Sequence, residues 1–174
     1  EVVPLYLSRA STVSGSERNW TDLTAAPGND LVRATAIRVA PATDSKNGLI
    51  AMETPISLEL EVQRLQPEKT VHCTFHLVNQ QEVTVLTTSP GRYPSACGRY
   101  RSRCIIPGNL LNSGDYRLRL LIVENGSSVT FTDEAIATFS VEDLRKRESG
   151  WMGREPCAVR VPLDWNTNSV APSA

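Results

Sequence analysis

Two short stretches carry the side chains best suited to chemistry. The first is His72-Cys-Thr-Phe-His76, which holds both histidines of the chain. On a helix, histidines at i and i+4 could share a metal ion. On a strand the same step spans ~13 Å, and metal–nitrogen bonds of ~2 Å cannot bridge it. Cys73 then faces the other way, so neither a metal nor any other cofactor is expected. Strand alternation instead groups His72, Thr74 and His76 on one polar face. They are either solvated side chains or a set facing a ligand.

The second stretch is Tyr116-Arg-Leu-Arg-Leu120, which sets Arg117 and Arg119 on one face, ~6.6 Å apart along a strand. That spacing suits two hydroxyl-bearing rings or one acidic sugar. An ordinary wetted face is the plain alternative. If the two strands are neighbours, their polar sides form a single His/Thr/Arg surface. Gly91-Arg-Tyr-Pro-Ser95 and Gly98-Arg-Tyr-Arg-Ser102 add Tyr93, Arg99, Tyr100 and Arg101 in or beside a loop. Sugars offer apolar CH faces and polar edges, so a ring beside donor-rich groups suits them. Tyr93 is a candidate on that ground, whereas Tyr100 reads as core packing or edge cover.

Catalysis has little to stand on. The chain lacks Gly-x-Ser-x-Gly, the Gly-x4-Gly-Lys-Ser/Thr phosphate loop and His-Glu-x-x-His. A nucleophile–base–acid set would need one of the two histidines, and neither reads as a loop residue. No pair among the 19 acidic residues has a pattern to recommend it.

The elements that must position these residues are strands. Ile56, Leu58, Leu60 and Val62 alternate with Ser57, Glu59, Glu61 and Gln63, which is the mark of one buried and one wet face. Thr70–Val78 repeats the pattern with Val71, Cys73, Phe75 and Leu77 inward. Residues 115–123 do so with Tyr116, Leu118, Leu120 and Ile122. Leu31–Ala40 is a strand whose better core face is Leu31, Arg33, Thr35, Ile37 and Val39. Further strands are expected over Glu82–Thr88, Gly98–Ile106, 128–132, 134–142 and Cys157–Leu163, with a short one over Glu1–Leu7. Turns fall at Pro27-Gly28, Asn79-Gln-Gln81, Pro107-Gly108 and Glu124-Asn-Gly-Ser127. About nine short strands with turn signals between them favour an all-β antiparallel sandwich over a closed barrel.

At 174 residues the chain fits one domain with flanking segments, large enough to bury roughly 70% of its unfolded surface. The expected division is a linker over residues 1–28, a sandwich over 29–165 and a disordered tail over 166–174. A net charge of −1 argues against a nucleic-acid binder and against a polybasic membrane surface. No apolar run approaches the ~20 residues that cross a bilayer. Cys73, Cys97, Cys104 and Cys157 permit two disulfides in a secreted protein or stay free thiols in a reducing compartment; the absence of other secretory signals favours the thiols.

Several motifs occur in a telling order. Arg18-Asn-Trp20, Ala26-Pro-Gly-Asn29, Val32-Arg33 and Ile37-Arg-Val39 open the series. Pro55–Val62, Val71–Val78 with Glu82–Ser89, and Ile106-Pro-Gly-Asn…Gly114-Asp-Tyr116 follow. Ala137-Thr-Phe-Ser-Val141 and Gly150…Val159–Trp165 close it. Across residues 17–165 this resembles the C-terminal domain of ATP-binding subunits of polysaccharide ABC exporters, the Wzt-type O-antigen (lipopolysaccharide) transporters. The resemblance implies an immunoglobulin-like sandwich that binds the exported glycan without being an enzyme. ATPase activity would belong to an upstream nucleotide-binding domain, through which membrane subunits would be met. It further implies a homodimer, with the last strand open to exchange between protomers, on the cytoplasmic side of the bacterial inner membrane. His72, Thr74, His76, Tyr93, Arg117 and Arg119 are the candidate carbohydrate-binding residues. Two rivals stand beside this reading: a dimerisation or coupling domain of the same transporter that binds no glycan, and a secreted adhesion module with disulfides.

Overall fold

The computed structural model describes residues 15–44, 48–67, 69–144 and 157–159. Among them are eight strands: β1 (Ser16–Asn19), β2 (Val32–Pro41), β3 (Ile56–Arg64), β4 (Val71–Asn79), β5 (Thr84–Thr88), β6 (Gly98–Ile106), β7 (Gly114–Glu124) and β8 (Ser128–Val141). They form two four-stranded sheets, ordered β1-β2-β3-β6 and β5-β4-β7-β8. Every strand pairing is antiparallel. This is the predicted all-β sandwich.

The eight strands differ from the expected nine in three ways. The expected strands 128–132 and 134–142 are one strand, β8, bent where its register slips between the partners of Leu118 and Leu120. The polar break at Asp133-Glu134 is a bulge, which kinks a strand without ending it. The sheet also begins earlier than the composition suggests, because Ser16–Asn19, inside the stretch read as linker, pairs with β2 as an edge strand. The expected strand Glu1–Leu7 and the tail 166–174 lie outside the described residues. Of the strand expected over Cys157–Leu163, Val159 is described, and it forms a bridge with Leu111.

Period-two alternation builds the core. Ile56, Leu58, Leu60 and Val62 of β3 meet Val71, Cys73, Phe75 and Leu77 of β4 and Tyr116, Leu118, Leu120 and Ile122 of β7 in one buried cluster. Each large aliphatic so buried contributes about 1.5–3 kcal/mol. In β2 the expected face is right for Ile37 and Val39 but not for the strand's start. There Val32 and Ala34 join the core cluster and Arg33 is half-buried, although Leu31 and Thr35 are buried as expected; a bulge between Ala34 and Ala36 inserts Thr35 and shifts the alternation. The Pro27-Gly28-Asn29 motif acquires a cause as well. Asn29 Oδ1 accepts from the amides of Leu31 (3.0 Å) and Val32 (3.1 Å), and a side chain on Gly28 would lie 2.3 Å from Val32 O. At the β7–β8 hairpin, Asn125 (φ 52°) and Gly126 (φ 84°) supply the positive φ pair that a type I′ turn needs.

Arg64 closes one end of the core at 1% exposure. Its Nε donates to Gln66 O at 3.1 Å, and Nη2 donates to Pro67 O (3.2 Å) and Lys69 O (2.5 Å). The guanidinium thus satisfies the backbone of the β3–β4 connection, where the chain crosses between sheets. Near the same end the two sheets are tied by Asn29 Nδ2 donating to Thr130 Oγ1 at 2.8 Å, and further along by Arg18 Nη1 donating to Ala135 O at 3.4 Å.

Candidate functional site

The pairing of β4 with β7 joins the two stretches singled out in the sequence. His76 lies directly opposite Arg119, Thr74 opposite Leu121, His72 opposite Val123 and Arg117 opposite Val78. All five candidates on these strands are half-buried on the outward side of the sheet, while their neighbours Cys73, Phe75, Leu118 and Leu120 face the core. Thr87 of β5 flanks His76, and Thr138 of β8 flanks Arg117. A row Thr87–His76–Arg119 therefore runs across three strands, offering hydroxyl, imidazole and guanidinium groups in sequence.

Neither arginine is idle. Arg119 Nε meets Glu134 Oε2 at 2.7 Å, and Arg117 pairs with Glu82 in the β4–β5 turn. The glutamates are largely solvent-exposed, at 63% and 71%. Each pair is therefore worth no more than about 1 kcal/mol and can open for a ligand. Buried beneath, His72 Nδ1 and Arg117 Nε find no partner among the described residues.

Tyr93 is a correction. Its Pro/Gly-rich loop runs alongside β4 rather than projecting from it: Ser89 Oγ donates to Cys73 O at 2.8 Å and Tyr93 N to Val71 O at 3.2 Å. The ring turns inward to 8% exposure, with its centroid 6.0 Å from that of Tyr100. Burial raises the Tyr93 phenol pKa and pushes that of the adjacent Cys73 thiol up to about 12. Tyr93 is a core residue, not a platform for a sugar. Tyr100 covers the edge, its hydroxyl donating to Ala96 O at 2.8 Å. Arg99 and Arg101 stand on the outward side of the other sheet, beside Gln63 and Glu61 of β3.

The sequence reading missed a groove at the end of the site face. Its volume is about 350 Å³, and its lining includes Gln80, Glu82, Asp115, Arg117, Thr138 and Ser140. Gln80 Nε2 donates to Asp115 Oδ2 at 2.5 Å and Ser140 Oγ to Asp115 Oδ1 at 2.6 Å. One signal was available: Asp115 precedes Arg117 by two residues and so shares its face.

All four cysteines are free thiols. Among the described residues no three potential ligands gather to hold a metal, and no helix is long and apolar enough to cross a membrane.

No protein-family model matches the chain, and no curated protein matches it. Among solved structures it is similar to the crystal structure of the C-terminal domain of Wzt. The TM-score is 0.59 at 11% identity, with 87% of this chain and 89% of that chain covered. The chain therefore has the fold of the Wzt C-terminal domain, the architecture to which the ordered motifs of its sequence pointed.

Proposed function

We propose that this chain is the non-catalytic, glycan-reading domain of a polysaccharide ABC exporter. The outward face of β4 and β7 would receive the polymer. The observation that carries the proposal is the register opposing His76 to Arg119, which gathers His72, Thr74, His76, Arg117 and Arg119 on one face of a Wzt C-terminal-like fold. Imidazole and guanidinium planes can lie along the CH face of a ring while their edges, with Thr74, bond its hydroxyls. Single sites of this kind are shallow. A homodimer, with or without an exchanged last strand, would raise apparent affinity by ~10²–10⁴ if both sites engage one assembly. ATP hydrolysis and contact with membrane subunits would belong to a nucleotide-binding domain, and the domain would then work on the cytoplasmic side of the inner membrane.

A second reading has its own support. Arg117 and Arg119 are already ion-paired, as they would be in a coupling domain that binds no glycan. Saturation-transfer NMR with the polysaccharide of the source organism, beside an unrelated glycan, separates the two. Signal on terminal residues of the cognate polymer alone is expected. No signal from a folded chain moves the assignment to the coupling role.

A further inference from the structure

The groove beside Arg117 differs from the rest of the site face in the balance of its charges. It lies between the β4–β5 turn and the adjoining ends of β7 and β8. The turn is held firmly, because Asn79 Oδ1 accepts from the amides of Gln81 and Val83, both at 3.0 Å. Glu82 follows at φ 61°, a left-handed conformation that a non-glycine residue adopts only when its surroundings impose it. In that conformation the Glu82 carboxylate neutralises Arg117. No ion pair among the described residues involves Asp115, whose carboxylate is held by the neutral donors Gln80 and Ser140.

A carboxylate has about four acceptor positions, and two of Asp115's are taken. The rest can accept from ligand hydroxyl or ammonium groups. Arg117 keeps donors beyond the one spent on Glu82, and its buried Nε has no partner. The groove thus offers acceptors and donors side by side, which is what a sugar hydroxyl requires of its surroundings. Two carboxylates stand against one guanidinium, so a ligand carboxylate would add a third negative charge. At about 350 Å³ the groove lies at the small end of ligand sites, suited to a terminal ring.

We infer that this groove is a subsite for a terminal sugar that is uncharged or amino-bearing, and that it rejects acidic sugars. The inference rests on the glycan-reading role proposed above and names the class of sugar that role would select.

The test is amide NMR of the isotopically labelled chain titrated with three ligands sharing one ring: methyl α-glucopyranoside, glucosamine and glucuronate. The expected result is that the first two shift the amides of residues 79–82, 115–117 and 138–140, with glucuronate at least fivefold weaker. Glu82→Gln, an exposed change, should raise the response to glucuronate severalfold by freeing Arg117. Glucuronate binding the wild-type groove as well as the neutral glycoside overturns the inference, as does no response to any of the three. Shifts confined to His76, Arg119 and Thr74 overturn the subsite while leaving the glycan-reading role in place. That role stands or falls separately on the cognate polymer.

Discussion

The two outward faces of the sandwich are built from similar residue types and arranged to different ends. On the β1-β2-β3-β6 face, Glu17, Arg38, Glu59 and Arg103 follow one another across all four strands. Arg38 pairs with Glu17 at 3.5 Å, Arg103 with Glu59 at 3.4 Å, and Arg101 with Glu61 in the next row. Opposite charges on neighbouring strands make this face self-sufficient. On the β5-β4-β7-β8 face, β4 contributes no Asp, Glu, Lys or Arg. The glutamates that pair with Arg117 and Arg119 come from a turn and from the bulge of β8. The first set of charges is paired in register across the ladder, whereas the partners of Arg117 and Arg119 stand off the regular register, in a turn and at a bulge. The difference suggests how a face is kept available to a ligand.

The largest effects should ignore this difference, because the inner faces are equivalent. Leu60→Ala beneath the ladder and Leu120→Ala beneath the site face should each cost about 2–5 kcal/mol in denaturant unfolding. A cost below 1 kcal/mol for either would mean that its sheet is not packed as described. Alkaline pH should then separate the two sheets. Burial pushes the Cys73 thiol, inside the site sheet, up to about 12 from an ordinary value of 9.0. Half-buried Cys104, inside the ladder sheet, is raised by partial burial alone. A raised folded pKa leaves stability intact below the unfolded value and removes it as pH climbs from about 9 towards 12, by up to about 1.4 kcal/mol per unit. Unfolding measured at pH 8 and 10.5 should show that loss reduced in Cys73→Ala and reduced less in Cys104→Ala. Equal reductions would contradict the difference in burial. The smallest effects on folding should mark the largest contrast in function. Arg119→Ala and Arg101→Ala should each cost no more than about 1 kcal/mol of stability. Only Arg119→Ala should weaken binding of the cognate glycan, by about tenfold in Kd; equal losses from the two would dissolve the distinction between the faces.

Where one strand had one dry side, the sequence was easy to read. The alternation in β3, β4 and β7 predicted both the strands and their inward residues. The difficulties came where alternation is absent or interrupted. Ser16–Asn19 is a polar edge strand with no buried side to announce it, and the bulges in β2 and β8 exchange faces in mid-strand. For the site, the sequence supplied the face of each strand but not the neighbour. That β4 lies beside β7, with β5 and β6 intervening along the chain, is a property of the whole sheet order. Tyr93 misled because a tyrosine among prolines and glycines looks exposed, yet backbone bonds to β4 turn its loop inward. Arg64 was unforeseeable in the same way, since its partners are carbonyl oxygens, which every sequence contains.

That arginine has a mechanical consequence. β3 and β4 sit in different sheets, and the connection between them is where a two-layer structure would shear most easily. A flexible crossing would let each layer slide over the other like cards. With three backbone carbonyls anchored to one buried guanidinium at the end of β3, sliding would require those bonds to break together. A force applied to β4 would therefore be passed to the opposite layer rather than absorbed at the crossing, as in a single stiff lever.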